Sequence, residues 1–244
     1  MTKLQRNRAK GVRPHINVPF DELEKYLPFI RLEKVDLEIY FGSRNFDSLR
    51  KSDIENIRKR LDHNPSLSIH APFMDLSPGA VDPKVREITV KRFSDTLDFA
   101  EILKPEVAVF HSGYDKWKYD SRVDIWLEGS LKTWGSLNKR ASDMGVKIAL
   151  ENIFEDEPSH LKLLIDEIKS ENFGLCFDTG HFNLFSKLTL PEWLKIIKPY
   201  IFELHLHDND MLKDTHLAIG DGNFDFETLF RELKGKDCVY TIEA

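Results

Sequence analysis

The chain has 244 residues, 41% of them hydrophobic, a net charge of −6 and two cysteines. That content can bury a substantial core, in one large α/β barrel or two small domains, and the acidic balance argues against a surface built mainly for polyanions. Cys176 and Cys238 are too few for a disulfide framework and fit a reducing cytoplasm, and no apolar stretch approaches the roughly 20 residues that span a bilayer.

Residues 1–12 read as a basic N-terminal arm that lacks the apolar run of a signal peptide. From residue 13 to 244 there is no linker, low-complexity tract or short-period repeat, which predicts a single domain. Short β-like runs at 15–18, 35–41, 67–70, 107–111, 147–151, 174–178, 201–207 and 239–243 alternate with helical patterns. Helices are predicted at 20–32 (after one turn), 53–61, 83–103, 122–144, 159–169, 191–197 and 226–233. Three-to-four spacing of apolar residues supports several of them, as in Phe93, Leu97, Ala100 and Leu103, and Pro83 and Pro191 suit a first helical turn.

Eight strands alternating with helices predict a (β/α)8 TIM barrel, whose active sites lie at the C-terminal ends of the strands. Six of the runs end in or beside a metal-competent side chain: His70, His111, Glu151, Asp178, His205 and Glu243. Period-two parity puts these on the face carrying small residues such as Val109, Ala149 and Cys176, while Phe110, Leu150 and Phe177 point to the helices. Glu203, His205 and His207 likewise share one face. The sequence stops at Ala244, so the eighth helix is missing from this chain. Unless the chain is truncated, a second copy in a homo-oligomer or the basic arm is expected to cover the seam between strands 8 and 1.

Histidine and carboxylate donors from several strand ends suit Zn²⁺ or Mn²⁺ better than Mg²⁺. Glu151, Asp178, His205 and Glu243 form the expected core, leaving open positions for a substrate's hydroxyl and carbonyl oxygens. Five further donors surround it: His70 and His111 on one side, and His181, Asp214 and His216 on the other. His207, Asp208 and Asn152 are candidates to support the ligands by hydrogen bonding, with a plain hydrogen bond within the barrel mouth the weightier expectation for each, and Gly220 and Gly222 read as turn glycines.

The segments SIHAPF, VFHSG, LENIF, FDTGH, HLHD, DTHLAIGDG and TIEA resemble, in order, the metal-binding motifs of the xylose isomerase-like barrel superfamily. That group includes endonuclease IV (AP endonuclease family 2) and the sugar-phosphate isomerases and epimerases. The isomerase and epimerase pattern implies one metal on Glu151, Asp178, His205 and Glu243. Glu151 and Glu243 then shuttle the proton through a metal-stabilised enediolate, and His181 touches substrate. The endonuclease IV pattern implies all nine donors holding three zinc ions, with Glu151 bridging two.

Charge separates the two uses. One divalent ion with Glu151, Asp178 and Glu243 leaves about −1, suited to a neutral sugar, whereas three ions with Asp214 added give about +2, which attracts phosphate. Against duplex DNA stand the acidic total and the lack of a clear basic, aromatic-interleaved wedge loop. Arg44 and the run Lys116, Trp117, Lys118 and Tyr119 are rim positions, and Phe73 follows a donor motif where it can pack or contact substrate. The expected activity is sugar or sugar-phosphate isomerisation or epimerisation, and the alternative is phosphodiester hydrolysis at a multizinc site.

Overall fold

The computed structural model describes residues 13–244, so the basic arm at 1–12 lies outside the described residues. Eight strands form a closed, all-parallel barrel in sequence order. They are β1 (His15–Pro19), β2 (Asp36–Tyr40), β3 (Leu67–His70), β4 (Val107–His111), β5 (Lys147–Glu151), β6 (Phe173–Asp178), β7 (Ile201–Leu206) and β8 (Val239–Ile242). Helices α1 (Leu23–Glu33), α2 (Lys51–Arg60), α3 (Pro83–Leu103), α4 (Val123–Asp143) and α5 (Ser159–Ile168) follow the first five strands in turn. Two helices, α6 (Thr179–Phe185) and α7 (Leu190–Ile197), follow β6, and α8 (Phe226–Glu232) follows β7.

Local chemistry explains the helix starts. Asp82 caps α3 by accepting from the Lys84 N–H with Pro83 in the first turn. Thr189 and Glu192 form a reciprocal capping box on α7. Helix α6 was not anticipated, because a seven-residue stretch is too short to show a period. It begins because the carboxylate of Asp178, the last residue of β6, accepts from the His181 N–H at 2.6 Å.

The strands divide their side chains as parity predicts. Leu37, Ile39, Phe110, Ile148, Leu150, Phe177 and Leu204 are buried in the main core. Val107, Val109, Ala149 and Cys176 form a separate, smaller cluster, which leaves the barrel axis room for polar groups above it. Among the described residues no helix follows β8. Tyr240 and Ile242 there, and Ile16 on β1, are accordingly half-buried.

No helix among the described residues is long and apolar enough to cross a membrane.

Candidate metal centre

Strand register sets the donors side by side. His111 pairs with Glu151 between β4 and β5, and Asp178 pairs with His205 between β6 and β7. Glu151 stands at the middle. Its Oε2 lies 2.9 Å from His70 Nε2 and 3.3 Å from His111 Nε2, and its Oε1 lies 3.1 Å from His181 Nδ1. His205 Nδ1 faces Glu243 Oε1 at 3.5 Å, Glu151 Oε2 at 3.7 Å and Asp178 Oδ2 at 3.8 Å. Two donor groups therefore share Glu151: His70 with His111, and Asp178 with His205.

The loop after β7 brings the remaining pair to the rim. Asp214 Oδ2 lies 3.4 Å from His181 Nε2 and 3.2 Å from His216 Nε2. Seven of the nine expected donors line one cleft of 570 Å³, and Asp178 and His205 are buried beneath it.

The imidazoles are oriented by their other nitrogen. Nδ1–H of His70 donates to the Ala71 carbonyl (2.9 Å), that of His181 to the Asn152 carbonyl (3.1 Å) and that of His216 to the Glu243 carbonyl (2.8 Å). Each bond fixes the ring so that Nε2 is aimed at a carboxylate, the arrangement by which metal-ligating histidines are commonly held. His205 is turned the other way. Its Nε2–H donates to Glu38 Oε2 at 3.1 Å, and its buried Nδ1 has no hydrogen-bond partner. A buried ring nitrogen without a hydrogen-bond partner, facing three carboxylates, favours positive charge at that point, and the donor set fits a divalent cation.

Protons substitute for cations when no metal is bound. Burial pulls His70 down, but the hydrogen bond and charge of Glu151, with Glu38 behind, raise it to about 9. The hydrogen bond from His216 to Asp214 raises that imidazole to about 9 against burial. Burial alone would raise Glu151, yet His111 and His205 hold it well below the usual carboxylate range. Glu243 is pushed up to about 7, chiefly by burial, with His205 opposing and Glu38, Glu151 and Asp178 adding to the rise.

A supporting layer lies under the donors, and part of it escaped the sequence. Glu38, fully buried on β2, orients His205 as described. The Asn17 amide on β1 donates to both Glu38 Oε1 (2.8 Å) and Glu243 Oε1 (2.9 Å), tying the carboxylate of β2 to the one that follows β8. Glu203, below His205, accepts from Ser68 Oγ at 2.8 Å and from Thr241, and burial pushes it up to about 8. The available signal was an acid at inward parity within the apolar run LEI of β2.

His207 supports as expected, its Nε2 lying 2.9 Å from Asp178 Oδ2. The Gly180 position is what admits that ring: a Cβ there would come within 2.0 Å of it. Asn152 clamps the end of β6, accepting from Asp178 N and donating to Asp178 O. Asp208 makes plain hydrogen bonds within the barrel mouth. Its carboxylate accepts from the backbone N–H groups of Asn209, Gly220, Gly222 and Phe224, so it fastens the loop carrying Asp214 and His216 instead of orienting an imidazole. At the rim, Phe73 stacks on His111 with centroids 4.1 Å apart. Lys116 is paired with Asp156 at 2.7 Å, which removes it from the positions free to meet a polyanion.

The profile of the xylose isomerase-like TIM barrel family matches residues 35–244. The uncharacterised protein MJ1311 of Methanocaldococcus jannaschii is 35% identical over 184 residues, covering 72% of this chain and 63% of that protein. The chain thus spans less than two thirds of that relative's length. Among solved structures, the TTHB071 protein of Thermus thermophilus, soaked with ZnCl2, is 28% identical with a TM-score of 0.80, over 96% of this chain and 92% of that one. A D-tagatose 3-epimerase-like protein has the same identity and TM-score, over 93% of this chain and 90% of that one.

Proposed function

The chain belongs to the xylose isomerase-like TIM barrel family, and on that footing we propose that it is a divalent-metal-dependent enzyme catalysing isomerase- or epimerase-type proton transfer on a small sugar. The carrying observation is the unpartnered His205 Nδ1, buried and faced by Glu151, Asp178 and Glu243. These four residues would hold the ion, and Zn²⁺ or Mn²⁺ suits their mixed nitrogen and oxygen donors. The ion supplies Lewis-acid polarisation of a substrate carbonyl.

The chain's own residues do the rest. Glu151 and Glu243 reach the centre from β5 and from the end of β8, and between them take and return the proton on the carbon beside the carbonyl. Asn17 holds Glu243 Oε1, which fixes the carboxylate while its second oxygen exchanges the proton. His181, which lines the cleft, would hydrogen-bond a substrate hydroxyl. The similarity to the D-tagatose 3-epimerase-like protein supports this reaction class.

Proton exchange measures it. The zinc- or manganese-loaded protein, incubated with a panel of ketoses in D2O, should introduce deuterium next to the carbonyl by NMR, and Glu243→Gln should abolish the exchange. Full activity after exhaustive metal removal, or no exchange with any ketose, would overturn the reading.

One observation favours a second reading. His70 and His111 meet Glu151 in a donor group separate from the core, and Asp214 and His216 supply a further pair. These donors suit additional ions and hence a phosphodiester hydrolase. Elemental analysis giving three metals per chain, with phosphodiesterase activity lost in His216→Ala, would transfer the assignment.

A further inference from the structure

The cleft has two unlike kinds of lining. One is the set of imidazoles and carboxylates. The other is apolar: Phe73, which stacks on His111, with Met74, Leu76, Ile153, Phe154 and Phe185. Several of these side chains stand open to solvent at the rim: Met74 is 61% exposed and Phe154 49%, and Phe154 meets Phe185 edge-to-face with centroids 5.2 Å apart. Exposed apolar side chains lining the mouth of a polar site are costly unless something covers them.

The charges along that lining say what the cover is not. Among the described residues, Lys118 is the sole lysine or arginine lining the cleft, and its Nζ already donates to Ser77 Oγ at 2.8 Å. Asp75 and Asp115 line the same mouth. Phosphate sites are built from arginine forks, lysines or clustered backbone N–H groups, and a phosphate at this end would meet one engaged lysine and two carboxylates. The volume, 570 Å³, falls within the range of about 300–1,000 Å³ that encloses drug-sized ligands, leaving space beyond a single sugar ring.

We propose that the substrate is an uncharged ketose bearing an apolar or aromatic substituent, such as an aryl or alkyl ether on one hydroxyl. The carbonyl and polyol end lies at the donors, and the substituent lies against Phe154 and Phe185. This rests on the sugar-directed reading above.

Calorimetric titration of the zinc-loaded protein tests it with phenyl β-D-glucopyranoside and methyl β-D-glucopyranoside, as unreactive stand-ins for the substituted ketose, and with D-glucose 6-phosphate. Burying a phenyl group against the apolar lining should make the phenyl glycoside bind about tenfold or more tighter than the methyl one, with the phosphate no tighter than the methyl glycoside. In Phe154→Ala and Phe185→Ala, with zinc content per chain confirming an intact centre, the phenyl-to-methyl ratio should fall to within about twofold. Equal binding of phenyl and methyl glycosides, tighter binding of the phosphate, or no binding of any of the three at about 10 mM would overturn the proposal. Because the titration reads binding without turnover, its failure would leave proton exchange standing, and failure of proton exchange would leave the order of affinities intact.

Discussion

His205 and Glu38 are both fully buried, and the histidine Nε2 lies 3.1 Å from the carboxylate Oε2. This contact joins β7 to β2 across the barrel axis and leaves Nδ1 as the nitrogen of His205 that would meet an ion bound there. Removing Glu38 frees the ring to rotate or change tautomer. Glu38→Ala is expected to weaken core metal binding by about 10- to 100-fold, measured by competition with a chromophoric chelator. Unchanged affinity would show that packing alone holds the ring.

Metal uptake at the rim should consume pH-dependent work. In the metal-free protein His216, raised to about 9 by Asp214, carries a proton that an ion must displace. Metal affinity there should therefore rise as pH climbs from about 6.5 towards 9, with protons released into a weakly buffered solution on zinc addition. For the metal-free fold the sign is opposite. The raised imidazole contributes stability that is complete below its ordinary value of 6.5 and is lost as pH rises through about 9. Absence of proton release near pH 8 would contradict this assignment.

The loop that bears Asp214 and His216 depends on Asp208. Asp208→Ala strips an acceptor from four backbone N–H groups. The expected loss is about 2–4 kcal/mol in denaturant unfolding, together with a drop in metal bound at the rim. A loss below about 0.5 kcal/mol would mean that the loop is held by its other contacts.

Gly180→Ala places a methyl group 2.0 Å from the His207 ring. The ring must shift, and its contact with Asp178 must loosen. We expect destabilisation of about 1–3 kcal/mol and a fall in core metal affinity, read by thermal melting and by chelator competition on the same preparation.

Chelation should lower the melting temperature, since an ion that binds only the folded chain stabilises it in proportion to its occupancy. Re-addition of Zn²⁺ or Mn²⁺ should restore it. A melting curve indifferent to both treatments would show that the centre holds no ion.

The barrel and the donor set were legible because short parallel strands alternate strictly and a TIM barrel concentrates chemistry at one end of them. His111, Glu151 and Asp178 each ended an apolar run at inward parity, which is local information. Glu38 was not legible as a partner of His205: its inward parity in the run LEI marks a buried acid, but nothing local points to a residue 167 positions away. Helix α6 was hidden because its start depends on the side chain of Asp178 more than on any apolar period. The partners of Asp208 were not legible, because they are backbone N–H groups of a loop whose path only the fold reveals.

Three of the four outer imidazoles, His70, His181 and His216, are each anchored on a main-chain carbonyl. Main-chain acceptors survive any change of side chain, so sequence drift around these rings cannot delete their anchors. His205 has no such protection, since its anchor is the side chain of Glu38. The centre is thus robust at its periphery and fragile at its heart. Random mutagenesis selecting for lost metal should return Glu38 nearly as often as the ligands themselves, and seldom return Ala71.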